Sequence, residues 1–370
     1  MRTRGRVVSL ARALVLMLLS AAPAWAQDRI YWTVPQPGNA KEVWSMNADG
    51  SGKTNLFPAG IAPPPGYDSI SSIAGPSAGA YPIDPSSPGS PSARWWLASV
   101  SGAGATAVFA FAPNGQGGVA WRQLSDIPLS PSPDVSRSIT GLLALPTGAS
   151  DDFASFQFLE AVHDGTAWTS TYSLVRFANP FTRPSGSVTL DQLQFLTSAG
   201  PGDAPGAQTW SPDGRFLAYI GSQPYPNGST RRALRILDTM TGVDHFVLDT
   251  ITAGVQPNRP RWSNNGEEIA FDSNSYFGSN SGVYAVNPSS GAVRAIATAG
   301  NSTDFFSAPV WSPDGTALAV MQSYQGSKAS LRNRGMISRI PSSGVTKKSG
   351  PVPLTANSDA YLIPTPLGWR

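Results

Sequence analysis

Three short runs in the second half of the chain are apolar at every position: Leu217-Ala218-Tyr219, Ile269-Ala270-Phe271 and Leu318-Ala319-Val320. A strand that is apolar on both faces is buried on both faces. The small Ala at the centre of each run lets neighbouring layers come close. Each run follows a polar turn that opens on a tryptophan. The segments read WSPDGRFLAYIGS from Trp210, WSNNGEEIAFDSN from Trp262 and WSPDGTALAVMQS from Trp311, so the tryptophans lie 52 and 49 residues apart. Within Ser-Pro-Asp-Gly, Pro presets φ at the second position and Gly tolerates the last, which favours a type I turn.

A second pattern runs the length of the chain: an apolar strand, a polar turn with Gly, and another strand, the mark of a β-hairpin. Its copies are VWSMNADGSGKTNLF from Val43, VFAFAPNGQGGVAWRQL from Val108 and LVRFANPFTRPSGSVTL from Leu174. LRILDTMTGVDHFVL from Leu234, VYAVNPSSGAVRAIA from Val283 and ISRIPSSGVTKKSG from Ile337 follow. The last apolar residues before the turns are Met46, Phe111, Phe177, Leu237, Val286 and Ile340, separated by 65, 66, 60, 49 and 54 residues. The two hairpin strands, the buried run before them and the strand ending at Trp make four strands per repeat. Such units, roughly 40–50 residues long, predict the blades of a β-propeller. A β-sandwich also has many strands, but no reason to repeat one order of elements at a steady period.

The chain ends PTPLGWR, which reads as a first strand running up to Trp369 with no blade behind it. DRIYWTV from Asp28 resembles a second strand with no first. Pairing Leu362–Trp369 beside Ile30–Val34 builds one blade from both ends of the chain and protects edges that would otherwise stay open. The expected fold is therefore all-β: a single six-bladed β-propeller domain over residues 27–370, with one composite blade closed by the C-terminal strand. Pro/Ser/Gly-rich insertions within 58–93 and 127–152 lengthen the early repeats.

Composition agrees with many short strands joined by turns: Gly and Pro together make 71 of 370 residues. The first residues stand apart. Arg2, Arg4, Arg6 and Arg12, an apolar run from Ala13 to Leu19, and the exit Ala24-Trp25-Ala26 form the pattern of a secretory signal peptide over 1–26, cleaved before Gln27. The run is shorter than the roughly 20 residues of a membrane span, and no later stretch is apolar enough. A periplasmic or secreted location is expected. The chain holds 26 basic and 23 acidic residues; without 1–26 the balance is 22 against 23, or −1. No basic patch remains for nucleic acid. With no cysteine, the protein has neither disulfides nor a Cys-linked lipid anchor.

W-S-P-D-G followed by an apolar L-A-x run, together with VWSMNADGSGKTNL, resembles the TolB-type (PD40, WD40-like) propeller repeat family. The match covers Trp210–Tyr219, Trp262–Phe271, Trp311–Val320 and Val43–Leu56, and is weaker over 68–200, where the W-S-P-D-G turn is lost. The resemblance implies a six-bladed propeller in the bacterial cell envelope. It is to the propeller alone: blade strands begin within a few residues of the expected cleavage site, leaving no room for the α/β domain that precedes the propeller in TolB.

Chemistry is sparse. The two histidines, His163 in AVHDG and His245 in VDHFV, sit in strand-turn stretches. No HExxH, Cys/His cluster, EF-hand loop, P-loop or G-x-S-x-G elbow is present. Sequons occur at Asn227 and Asn301. Asp213 and Asp314 are explained by their turns, where Asn265 takes the same place. Asp203 and Asp304 each lie seven residues before their blade's Trp, where the chain enters the first strand. Arg259, Asn258, Asp359 and Asp68 occupy comparable entries. Asp203, Arg259, Asp304 and Asp359 are thus the candidate ligand-binding residues at the channel mouth. Such a ring would take a polar ligand or Ca²⁺, since hard cations favour oxygen; no other cofactor is expected.

Two functions fit. One is a monomeric, non-catalytic propeller that binds a protein partner in the envelope through loops on a rigid frame. The other is a glycan-active lyase or hydrolase with carboxylates at the channel and Tyr276, Phe277, Phe305 and Phe306 stacking on sugars.

Overall fold

The computed structural model describes residues 28–369 apart from 78–79, 84–91, 103–104, 126, 129, 147–150, 201–202, 225–226, 249–253, 274–280, 299–303, 325–333, 346–350 and 357–364. Its strands form six four-stranded sheets and one two-stranded ribbon, Tyr81–Pro82 with Ser92–Ala93. Blade 1 is Thr365–Trp369, Arg29–Pro35, Lys41–Asn47 and Thr54–Asn55, in that spatial order. Blade 2 runs Ser69–Ala74, Trp96–Gly102, Ala105–Pro113 and Val119–Gln123. Blade 3 runs Val135–Ala144, Phe153–His163, Trp168–Ala178 and Gln194–Ala199. Blade 4 is Gln208–Trp210, Phe216–Pro224, Thr230–Asp238 and Asp244–Phe246. Blade 5 is Pro257–Trp262, Ile269–Ser273, Gly282–Val286 and Val293–Thr298. Blade 6 is Asp304–Trp311, Ala317–Tyr324, Arg334–Pro341 and Val352–Pro353. This is a six-bladed β-propeller.

The two ends of the chain share blade 1. Thr365–Trp369 pairs antiparallel with Arg29–Pro35, with Trp369 opposite Ile30 and Thr365 opposite Thr33. The indole N–H of Trp369 donates to Asp28. The expected closure is therefore observed over 365–369; Leu362–Pro364 lie outside the described residues.

Burial explains why the runs Leu217–Tyr219, Ile269–Phe271 and Leu318–Val320 are apolar at every position. Six hydrophobic clusters each straddle two consecutive blades. In blade 4, Leu217 and Tyr219 face blade 3, while Ala218 and Ile220 face blade 5. Blade 5 repeats this, with Ile269 and Phe271 toward blade 4 and Ala270 toward blade 6. In blade 6, Leu318 and Val320 face back and Ala319 faces blade 1. A period of two between two apolar neighbours reads as a continuous apolar run. The small Ala always faces the following blade.

The Trp turns share one hydrogen-bond pattern. Gly214, Gly266 and Gly315, at φ +70, +77 and +72, each return their N–H to Ser211, Ser263 and Ser312 C=O at 2.9–3.0 Å. Each serine Oγ accepts the N–H five residues on, from Phe216, Glu268 and Ala317, at 2.9–3.0 Å, where the chain enters the next strand. Each also donates to Asp213, Asn265 or Asp314.

Two hairpins differ from expectation. After Leu174–Phe177 the fourth strand of blade 3 is Gln194–Ala199, not the SVTL stretch at 187–190. There Val188 N–H instead bonds Leu124 O at 2.9 Å, so the segment packs on blade 2. In blade 6 the outer strand is Val352–Pro353, and Val345 N–H reaches Ile296 O of blade 5 at 2.8 Å. In both cases the chain after the turn crosses to a neighbouring blade before returning to its own sheet.

Candidate functional site

The first strands pack against one another in ring order, from blade 2 through blades 3, 4, 5 and 6 to blade 1. Those of blades 1, 2, 3, 5 and 6 each carry a register shift. A bulge bends its strand and re-aims a side chain. In blade 5 the shift lies between Asn258 and Arg261, and Arg259 adopts φ +44. In blade 6 it lies between Ser307 and Val310, and Ala308 adopts φ +49. Both are left-handed conformations that a residue with a Cβ adopts only under constraint.

The two bulges meet at one carboxylate. Asp272, in the second strand of blade 5, is fully buried, with 0% of its side chain exposed. Its Oδ2 accepts from Arg259 Nη1 at 3.1 Å and from the Ala308 N–H at 2.9 Å, tying both bulges together. Burial pushes its carboxyl pKa above the ordinary range; Arg259, the Ala308 N–H and Arg261 pull the other way. Its Oδ1 and the nearby Ser307 Oγ are buried without a hydrogen-bond partner. Arg259 is 43% exposed. The cluster therefore presents a guanidinium to solvent from a buried anchor. With Arg261 beside it, it is net positive and suits an anionic group rather than a metal ion.

The predicted mouth residues divide. Arg259 enters this cluster. Asp203 stands apart and exposed, accepting the Ser222 N–H at 2.8 Å. Asp304 is the first residue of its strand, and its side chain lies outside the described residues, as does Asp359 altogether. Asn258 accepts from Arg232 at 3.2 Å. Phe306 is buried between blades 5 and 6; Tyr276 and Phe277 are outside the described residues. Among the described residues no three His, Cys, Asp or Glu gather as a metal site would require. His163 packs against Trp168 with the rings tilted and their centroids 5.2 Å apart, and accepts the Gly165 N–H. Asp272 was not singled out by sequence reasoning. Its signal was a charge inside the apolar run IAFDS, which only a buried partner can stabilise.

No protein-family model matches the chain, and no curated protein does. Solved structures do. A chain of the Kuenenia stuttgartiensis hydrazine synthase aligns with a TM-score of 0.51 and 10% identity over 92% of this chain and 47% of that one. This protein thus spans about half the length of that chain. An oligogalacturonate lyase in complex with manganese aligns with a TM-score of 0.43 and 13% identity, covering 89% and 74%. The β-propeller domain of the Trilobed protease from Pyrococcus furiosus gives 0.44 and 8%, covering 90% and 79%. The likeness is one of fold.

Proposed function

We propose that the protein is an exported, non-catalytic propeller of the TolB-like kind that binds a protein partner in the bacterial cell envelope. The observation that carries this reading is blade 3. Its first three strands run 10, 11 and 11 residues, whereas among the described residues no strand in another blade exceeds 9. At about 3.3 Å per residue its two longest strands exceed the longest described strands of the other blades by roughly 7 Å. Its hairpin tip is apolar on both faces: Trp168 is 52% exposed on one and Val162 41% exposed on the other. An exposed Trp at the tip of a long, fully paired hairpin is the kind of anchor around which binding energy concentrates. The signal-like residues 1–26 and the shared Ser-Pro-Asp-Gly turns support export and the kinship.

The test is capture from an envelope fraction by the wild-type protein and by Trp168→Ala, followed by titration of the captured partner in purified form. A partner lost with Trp168→Ala, at unchanged melting temperature, supports the reading. Identical capture and affinity by both proteins refutes it.

A further inference from the structure

A cleft of about 340 Å³ opens between blades 1 and 2. That is the lower end of the size range of small-molecule sites. Its walls are Tyr31 and Leu56 on one side and Trp96 on the other, with Thr54 exposed at the rim and a guanidinium from each blade, Arg29 and Arg94. None of the residues lining it is acidic.

The two arginines are anchored but not neutralised. Arg29 donates through Nη2 to Ser45 Oγ and Gly52 O, both at 2.9 Å. Arg94 donates through Nη1 to Ser77 O at 3.3 Å. Neither has a carboxylate within ion-pair distance among the described residues. Elsewhere, Arg137, Arg215, Arg235, Arg259 and Arg294 each meet an acid. Two positive charges on one apolar cleft make a local potential that attracts an anion, and a guanidinium holds a carboxylate in a two-pronged fit. The wall also holds an unmet donor: the indole N–H of Trp96 is buried without an acceptor.

We propose that this cleft binds an organic acid, its carboxylate held by Arg29 and Arg94 and its flat apolar body laid against Tyr31, Leu56 and Trp96. The ligand would join the composite blade to blade 2, so occupancy also raises the melting temperature, because it binds only the closed ring. The cleft is built from blades 1 and 2 and shares no residue with the Trp168 hairpin of blade 3, and the two readings fail independently.

The probe is indole-3-acetate, titrated by calorimetry into the purified chain, with indole-3-ethanol as the uncharged control. The expected result is saturable binding of the acid with Kd near or below about 1 mM and at least about ten-fold weaker binding of the alcohol. Arg94→Gln should weaken the acid by about ten-fold or more. Thr54→Glu, which sets a negative charge at the exposed rim and disturbs no core residue, should do the same. The melting temperatures of both unliganded variants should match that of the wild type. A tetrapeptide ending in Trp with a free carboxylate, beside its amide, tells a peptide C-terminus from a free small acid as the source of the group. No binding of either acid at millimolar concentration overturns the proposal, as does binding that Arg94→Gln and Thr54→Glu leave unchanged.

Discussion

Asp272 places a carboxylate, wholly buried, directly after the apolar run Ile269-Ala270-Phe271 of its strand. Removing it leaves the Arg259 guanidinium and the Ala308 N–H without their acceptor. Asp272→Ala should cost roughly 3–5 kcal/mol, read as a lower urea midpoint. Asp272→Asn, which keeps an acceptor for Ala308, should cost less. A different carboxylate, Asp238, contributes to the acid limb. The hydrogen bond from Arg215 holds Asp238 well below the ordinary carboxylate value of 3.8. Stability from that pair is present above the ordinary value and is lost as pH falls through the lower folded value. Melting temperature measured from about pH 6 down to pH 2 should fall more steeply for the wild type than for Arg215→Gln. At this scale the sequence was only partly readable. A charge in an apolar run announces a buried partner, but Arg259 is thirteen residues away in another strand, and Ala308 belongs to another blade.

At the scale of elements, the Trp turns show how a local motif becomes a structural part. Ser312 Oγ accepts the buried Ala317 N–H at 2.9 Å and orders Asp314 beside it. Ser312→Ala should lower stability by about 1–2 kcal/mol, because it leaves that N–H unsatisfied. Ser211→Ala, in the equivalent turn of blade 4, should add to it independently, since sites without shared partners behave additively. Denaturation of the single and double variants measures both. These turns were legible because their chemistry is contained within six consecutive residues. The outer strands of blades 3 and 6 were not. Gln194–Ala199 begins sixteen residues after its partner strand ends, and Val352–Pro353 pairs through only two residues. The intervening chain follows hydrogen bonds on neighbouring blades, which no local pattern encodes.

At the scale of the whole molecule, the strand Thr365–Trp369 completes the ring, and Trp369 is buried between blades 6 and 1 with Ile30, Trp32 and Val310. Deleting residues 361–370 should lower stability by about 3 kcal/mol or more, since it strips blade 1 of a paired strand and a buried Trp. It should also promote self-association through the exposed edge of Arg29–Pro35. Thermal melting and light scattering of the truncated chain test this; an unchanged melting temperature refutes a stabilising role for closure.

The amino-acid order by itself determined the blade count, the Trp turns, the strands buried on both faces and the pairing of the two ends. Each of these rests on short-range periodicity repeated along the chain, and a strand flanked by two identical apolar neighbours must show it. Only the tertiary structure decided that Asp272 anchors Arg259 and Ala308, that the hairpin tip of blade 3 leaves Trp168 exposed, and that Arg29 and Arg94 share a cleft. Those features join residues from different strands or adjacent blades, and the distance between such residues is set by how the sheets pack around the axis.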